Sequence, residues 1–488
     1  MAKSSKGLNR RQFLEVAVAS CFSTLTAGPS YAKADAFTKS DGKVVNDVSQ
    51  LNPITTATIL QLKSTEDVKS ALSAWSGLVS VGGGRYSMGG QIAAANSMHF
   101  DMRQLKKVIS LDVPSKVIRV QAGITWRDIQ DVIDPHNLAI KIMQSYSNFT
   151  VGGSLSVNCH GRYVGKGPIV NSVRAVQLVT VDGKVLELSR LNEPELFSAI
   201  FGSYGGLGII TEVELELEDN TKIERMVAAL SLEDYPKYFR ENILSDKLLL
   251  LHNADLIPPD YATLKVVSWS VTKKPLTQVD RLVPRGLDYT FEKNAIWSMT
   301  ELPGGIYLRK SIDKIAQSNT TKVTWRNREA SLDAASLEPR SRNDSTYLLQ
   351  EYFIPVKNFQ AFAIEMTRIL KTRDVQVLNV SIRHSPTDKE SLMKWAPTEV
   401  FSFVIYYKQR KSQRASAAAG VWTRELIDAA LVNGGRYYLP YRLDATSKQF
   451  LQAYPEAKAF AALKAKVDPK NRLRNQLWDK YLPKTFKI

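Results

Sequence analysis

Five glycines fall between Gly82 and Gly90, in the stretch VGGGRYSMGGQ (residues 81–91), directly after the apolar, β-branched run LVSV. A strand that empties into such a loop presents backbone N–H groups where no Cβ keeps a ligand away, the geometry of an anion cradle. The loop lacks the GK[ST] ending of a phosphate-binding P-loop, so a kinase or ATPase is disfavoured. A second glycine set, Gly202-Ser-Tyr-Gly205-Gly-Leu-Gly208, follows the helix-like PELFSAIF and precedes the strand-like IITEVELEL. A Rossmann loop needs the reverse order, strand and then helix, so the classical dinucleotide fold is disfavoured too. A third stretch, TVGGSLSVNCHGR (150–162), surrounds His160 with glycine and small hydroxyl residues. Any one of these is a turn by default. Three in one domain point to a cradle for a pyrophosphate.

The chain has 488 residues, too many for one ordinary hydrophobic core, and two domains are expected. In the first, Ser64-Thr65-Glu66-Asp67 offers a capping box before VKSALSAW, KVIRVQA reads as a strand, Thr125 caps WRDIQDVI, and AVQLVTVDGKVLEL is a hairpin with an Asp-Gly turn. From about residue 221 longer helical stretches, KNFQAFAIEMTRILK and AGVWTRELIDAALV, alternate with the strands TYLLQEYFIP, VQVLNVSIRH and FSFVIYYK. That order suits antiparallel strands with helices on one face, hence an α+β fold. The expected division is an N-terminal signal over 1–34, a first domain over 35–220, a second over 221–430, and a C-terminal segment, 431–488, folding back on the first.

The N-terminus, NRRQFLEVAVAS, carries paired arginines before a short, mildly apolar stretch and resembles a twin-arginine export signal, with cleavage near Lys33 or Asp35. A periplasmic or otherwise exported location follows as an expectation. Cleavage would remove Cys21 and leave Cys159 alone, with no partner for an intramolecular disulfide. Removal of residues 1–32 would lower the net charge from +17 to +14, because Lys3, Lys6, Arg10 and Arg11 leave together with Glu15. The basic residues are dispersed and no nucleic-acid motif accompanies them, so a solvated surface is expected rather than a nucleic-acid partner. No long apolar window follows the N-terminus, so membrane contact is at most peripheral. No metal site is assigned.

VGGGRYSMGGQ, FTVGGSLSVNCHGR, the hairpin AVQLVTVDGKVLEL and ELFSAIFGSYGGLGIITEVELEL together resemble the flavin domain of the vanillyl-alcohol oxidase and p-cresol methylhydroxylase family of FAD-linked oxidases. YLLQEYFIP, GGRYYLPYRLDAT and DPKNRLRN are similar to its sugar, alditol and aldonolactone oxidase branch and to decaprenylphosphoryl ribose oxidase. The resemblance implies a p-cresol methylhydroxylase-type FAD-binding fold with an antiparallel-sheet substrate, or cap, domain. It implies FAD contacts at Gly83, Gly84, Arg85, Tyr86 and Ser87 in the first loop, at Gly152, Gly153, Ser154 and Gly161 in the second, and at Gly208, Ile210 and Tyr438. Many members hold the flavin covalently through a histidine where this chain has Tyr86, so the FAD expected here is noncovalent.

The implied reaction is hydride transfer from a CH–OH carbon of a sugar, alditol, aldonolactone or related compound to flavin N5, with oxygen, a quinone or a cytochrome as electron acceptor. It needs a base for the hydroxyl proton and a charged or hydrogen-bonding group near the flavin. His160, Glu351 and Arg383 are the candidates, with an ordinary Glu351–Arg383 ion pair as the structural alternative. The ribose oxidase relative has a lysine where this chain has Tyr441, so either the Tyr441 phenol or the Arg442 charge takes that place, or the substrate differs. The reading from another class is a noncatalytic FAD-binding or basic ligand-binding protein on the same fold.

Overall fold

Strand Val79–Gly82, which delivers the chain into the first glycine loop, lies parallel to Met98–Asp101, and Thr58–Gln61 completes that three-stranded sheet. The computed structural model describes residues 43–305 and 322–482; the export signal expected at 1–34 lies outside the described residues. Helix Thr65–Ala74 starts where its sequence predicts. Ser64 accepts from the Asp67 N–H, the Asp67 carboxylate accepts in return, and Val68, Ala71 and Leu72 form the buried stripe.

A second, antiparallel sheet runs in the order Val185–Ser189, Val173–Val179, Ile209–Asp219, Val117–Gln121, Val108–Asp112, with Leu138–Ile140 paired to the far end of Ile209–Asp219. Its first two strands are the expected hairpin, turned at Gly183, whose φ of 84° suits glycine. The strand Ile209–Asp219 alternates buried and half-buried residues along IITEVELEL, the period of a strand covered on one face. Val79, Phe100, Leu105, Val179 and Leu473 share one core, so the C-terminal segment closes this half of the molecule. Its backbone also pairs with Val79, and the Trp478 indole donates to the Ser203 carbonyl.

The third sheet has eight antiparallel strands in the order Val323–Trp325, Lys222–Ser231, Thr263–Val271, Leu249–Leu256, Val377–Ser385, Val400–Arg410, Ser345–Pro355, Arg436–Tyr437. Helices Phe359–Thr372 and Gln413–Val432 pack on one another and on this sheet. Strands Lys222–Ser231, Leu249–Leu256 and Thr263–Val271 precede both helices, so the region opens on strands ahead of the expected helix and strand alternation. Strand Arg436–Tyr437, from within the C-terminal segment, pairs with Tyr352 and Phe353 at the sheet edge.

Side-chain alternation along Ser345–Pro355 sorts function from packing. Gln350 and Tyr352 point to the helices, meeting Thr423 and Phe362, whereas Tyr347, Leu349 and Glu351 point the other way into a cleft.

Two fully buried histidines make the fold sensitive to acid. His99 lies against the Ser80 hydroxyl at 3.0 Å, and His252 bonds the Tyr235 phenol at 3.0 Å and the Ser268 hydroxyl at 2.9 Å. Burial depresses both pKa values to about 3. The unfolded chain takes up these protons below about 6.5 and the folded chain does not, so stability is lost as pH falls from about 6.5 toward 4. Urea midpoints measured across that window should fall steadily, and His99→Asn should flatten part of the slope.

Candidate active site

The cleft between the glycine loops and the cap sheet contains about 1730 Å³ of space not filled by atoms, part of it open to solvent. Its length, from the glycine loops to the cap sheet, suits an extended cofactor with a substrate beside it. Gly83, Gly84, Arg85, Tyr86, Ser87, Gly152, Gly153, Ser154, Gly208, Ile210 and Tyr438, all expected at the cofactor, line it together with His160, Glu351, Arg383 and Tyr441. Gly161 does not. A Cβ there would lie 2.2 Å from the Met143 carbonyl oxygen, so this glycine serves chain packing beside the cleft.

The first loop fits an anion. The backbone N–H groups of Gly83, Arg85 and Ser87 have no acceptor among the described residues. Arg85 takes a left-handed φ of 60°, and its guanidinium turns to Asp101 at 3.2 Å, so the residue offers the cleft backbone more than charge. Asp101 in turn binds Arg103 at 2.6 Å. The Tyr86 ring packs on Phe149 with centroids 4.4 Å apart, and burial pushes its phenol pKa well up.

The second glycine stretch is a short helix, Val151–Ser156, rather than a loop. Its Gly152 N–H bonds the Ala122 carbonyl at 2.7 Å, and a Cβ on Gly152 would come within 2.8 Å of the Ala122 side chain. Glycine here lets the helix lie directly on the chain that follows strand Val117–Gln121. The Ser154 hydroxyl is used internally, bonding Gln144 and the Thr150 carbonyl, each at 2.9 Å. Cys159 is a buried free thiol in the cleft wall, its pKa raised by burial.

Opposite the loops, the cap sheet holds the ionisable cluster. Glu351 and Arg383 lie on either side of strand Val400–Arg410, opposite Val404 and Ser402, and thus on the same face. They form no ion pair. Glu351 accepts from His160 Nε2 at 2.6 Å, and the Tyr441 hydroxyl donates to its other oxygen at 3.4 Å. Burial alone would raise the Glu351 pKa, but His160 and the Arg383 charge outweigh it and hold the carboxylate below its ordinary range. Burial and the Glu351 charge push the Tyr441 pKa well up, so its phenol stays protonated and acts as a donor. Arg442 pairs with Asp444 at 2.7 Å and does not line the cleft, which leaves Tyr441 at the position in question. Tyr438 donates its hydroxyl to the Val157 carbonyl at 2.8 Å and packs near the His160 ring, so it reaches the cleft through its ring.

Arg383 makes no hydrogen bond or salt bridge among the described residues, and its Nε is buried without a partner. A half-buried guanidinium whose Nε is shut off from water and has no hydrogen-bond partner, facing a cleft, is an unmet demand for a ligand. Sequence reasoning missed Tyr146, Ser145, Tyr406 and Arg342, which also line the cleft. Tyr406 is recoverable from strand alternation, since it stands two residues from Val404 on the same face. Arg342 follows no periodic element and had no signal.

Residues 56–189 match a family model described as an FAD binding domain. The chain carries an FAD-binding domain over these residues. Among the proteins similar to it is the mitochondrial L-galactono-1,4-lactone dehydrogenase of Brassica oleracea, 28% identical over 50% of this chain and 38% of that protein. The L-gulonolactone oxidase of Bos taurus is 23% identical over 84% of this chain and 89% of its own length. An alditol oxidase of a Streptomyces species is 32% identical over 22% of this chain and 26% of its own. The chain spans less than two fifths of the length of the lactone dehydrogenases it matches. The match contains the glycine stretches at 82–90 and 150–162 and the whole hairpin, while the glycine set at 202–208 lies beyond it.

Proposed function

We propose that this protein is an FAD-dependent oxidoreductase that oxidises a CH–OH group of an aldonolactone, alditol or related sugar-type compound. The observation that carries the reading is the Glu351 carboxylate, bonded by His160 and Tyr441 beside the unpaired Arg383, on the wall facing the glycine-lined cradle. The similarity to lactone and alditol oxidoreductases supports the substrate class.

FAD, when bound, supplies the two-electron oxidant. Gly83, Arg85 and Ser87 would hold its pyrophosphate through their free N–H groups. The ionised Glu351 can only accept, so the proton of the 2.6 Å contact belongs to His160 Nε2, which fixes the carboxylate from one side. Its second oxygen then takes the proton of the substrate hydroxyl, and Tyr441 returns a hydrogen bond to that same oxygen. Arg383 donates to substrate oxygens and orients the carbinol carbon. The apolar walls from Phe353, Trp395 and Tyr438 around His160 keep water from the proton.

Acid precipitation of the yellow protein should release its colour into the supernatant, since Tyr86 replaces the linking histidine of the family. Anaerobic addition of aldonolactones and alditols should then bleach the flavin bands of the intact protein. Ligand binding without bleaching by any CH–OH compound would favour a noncatalytic flavoprotein. Reoxidation by oxygen, by a quinone or by cytochrome c identifies the electron acceptor.

We infer also that the paired Arg10 and Arg11 direct export of the folded, FAD-loaded protein. A reporter fused behind residues 1–40 should reach the periplasm and stay in the cytoplasm when both arginines become lysine. Equal export of the two fusions would remove this inference.

A further inference from the structure

The cap sheet carries a second recess, built from residues that do not line the FAD cleft. Arg225 and Trp269 face one another on strands Lys222–Ser231 and Thr263–Val271, and Val267 and Asn253 continue the same face. Arg162, Lys322 and Glu329 line the rest of the recess, which opens to solvent.

Donors exceed acceptors in this recess. Glu329 is taken by Arg162 at 2.9 Å, and the Asn253 carbonyl oxygen receives a second, longer contact from Arg162 at 3.4 Å. The Arg225 guanidinium makes no hydrogen bond or salt bridge among the described residues, while its backbone N–H holds the Lys322 carbonyl at 2.8 Å and keeps the two cations together. The Lys322 ammonium lies 5.5 Å from the Trp269 ring centre and has no salt bridge to a carboxylate among the described residues. Trp269 is 2% exposed, and its indole N–H has no acceptor. An indole nitrogen can only donate.

A neutral hydroxyl accepts at most two hydrogen bonds and carries no charge to offset the two adjacent cations. One oxyanion answers all of them: its oxygens accept from guanidinium, ammonium and indole together, and its charge offsets the repulsion between Arg225 and Lys322. We propose that this recess binds a small oxyanion, a phosphate, sulfate or carboxylate group, with Arg225, Lys322 and Trp269 as its donors. The group comes either from a free inorganic ion or from an organic acid. The assignment stands independently of the reaction in the FAD cleft.

The test uses the purified FAD-loaded protein at constant ionic strength in chloride, titrated separately with inorganic phosphate, sulfate and gluconate. Melting temperature and tryptophan emission are followed. A saturable rise in melting temperature with a change in emission is expected. Arg225→Gln should weaken binding about tenfold or more, the loss of one charge-assisted contact. Trp269→Phe, which keeps the packing and removes the N–H, should weaken it several-fold and abolish the emission change. Tighter binding of gluconate assigns the site to organic acids, and tighter binding of phosphate or sulfate assigns it to the free ion. No response beyond that of chloride, or identical titrations for wild type and variants, would overturn the proposal. Should Trp269→Phe fail to fold, Arg225→Gln carries the test, because that side chain has no described partner to lose.

Discussion

Replacing Glu351 with glutamine is expected to lower kcat/KM by about 10²–10⁴-fold, the range for removing a positioned general base, while the FAD content of the protein stays unchanged. Glutamine has nearly the same shape and can still accept from His160 Nε2, so the packing around Phe353 and Trp395 persists. It lacks the charge that draws the hydroxyl proton. The pH profile separates this role from a structural one. His160 and Arg383 hold the Glu351 carboxylate below the ordinary range against the effect of burial, so it is ionised throughout neutral pH. Wild-type kcat/KM should therefore be level through the neutral range on this group's account and fall only as pH drops through its depressed pKa. The variant should have lost that acidic limb together with the rate. The same depression contributes to folding: the stabilisation is present above the unfolded carboxylate pKa and disappears as pH falls through the folded one. A Glu351→Gln protein that bleaches within a few-fold of the wild-type rate would show that the proton leaves by another route, with His160 the next group to test.

Much of this arrangement was legible in the sequence because local chemistry and global fold agree there. The capping box at Ser64–Asp67, the Asp-Gly hairpin and the strand into Gly82 are each set by neighbouring residues, and each forms as written. Period-two alternation in TYLLQEYFIP places Glu351 on the face away from the helices. What alternation cannot supply is the partner across the cleft. Glu351 and Arg383 look like a pair on neighbouring strands, but Val400–Arg410 runs between them and His160 arrives from the FAD-binding domain. The pairing depends on how two distant segments meet. The strand Lys222–Ser231 was missed for a similar reason: KIERMVAALS is half exposed and stabilised by its neighbours in the sheet rather than by its own pattern. The oxyanion recess, built from five separate segments, had no local signal at all.

The glycine stretch around His160 is where the family pattern and the geometry part, and Gly161→Ala tests the difference. A cofactor contact at Gly161 would make the alanine variant bind FAD more weakly and leave the apoprotein as stable as before. The geometry demands the opposite. The new Cβ would lie 2.2 Å from the Met143 carbonyl oxygen and 2.9 Å from the Tyr163 ring, and a backbone oxygen has little freedom to withdraw. Overpacking of this kind costs about 1–3 kcal/mol, and a backbone clash belongs at the upper end. The apoprotein itself should thus melt several degrees lower, at about 2–4 °C per kcal/mol for a domain of this size class. Relief requires the chain at 161 to move away from Met143, and His160, the preceding residue, must move with it. Its ring is wedged 4.9 Å from Trp395 and 5.7 Å from Phe353, so the displacement appears at Nε2, where 2.6 Å to Glu351 leaves little tolerance. Turnover should fall tenfold or more, about the cost of one strained charge-assisted hydrogen bond, with the affinity for FAD close to that of the wild type. Weakened FAD binding with an unchanged apoprotein melting temperature would return Gly161 to the cofactor.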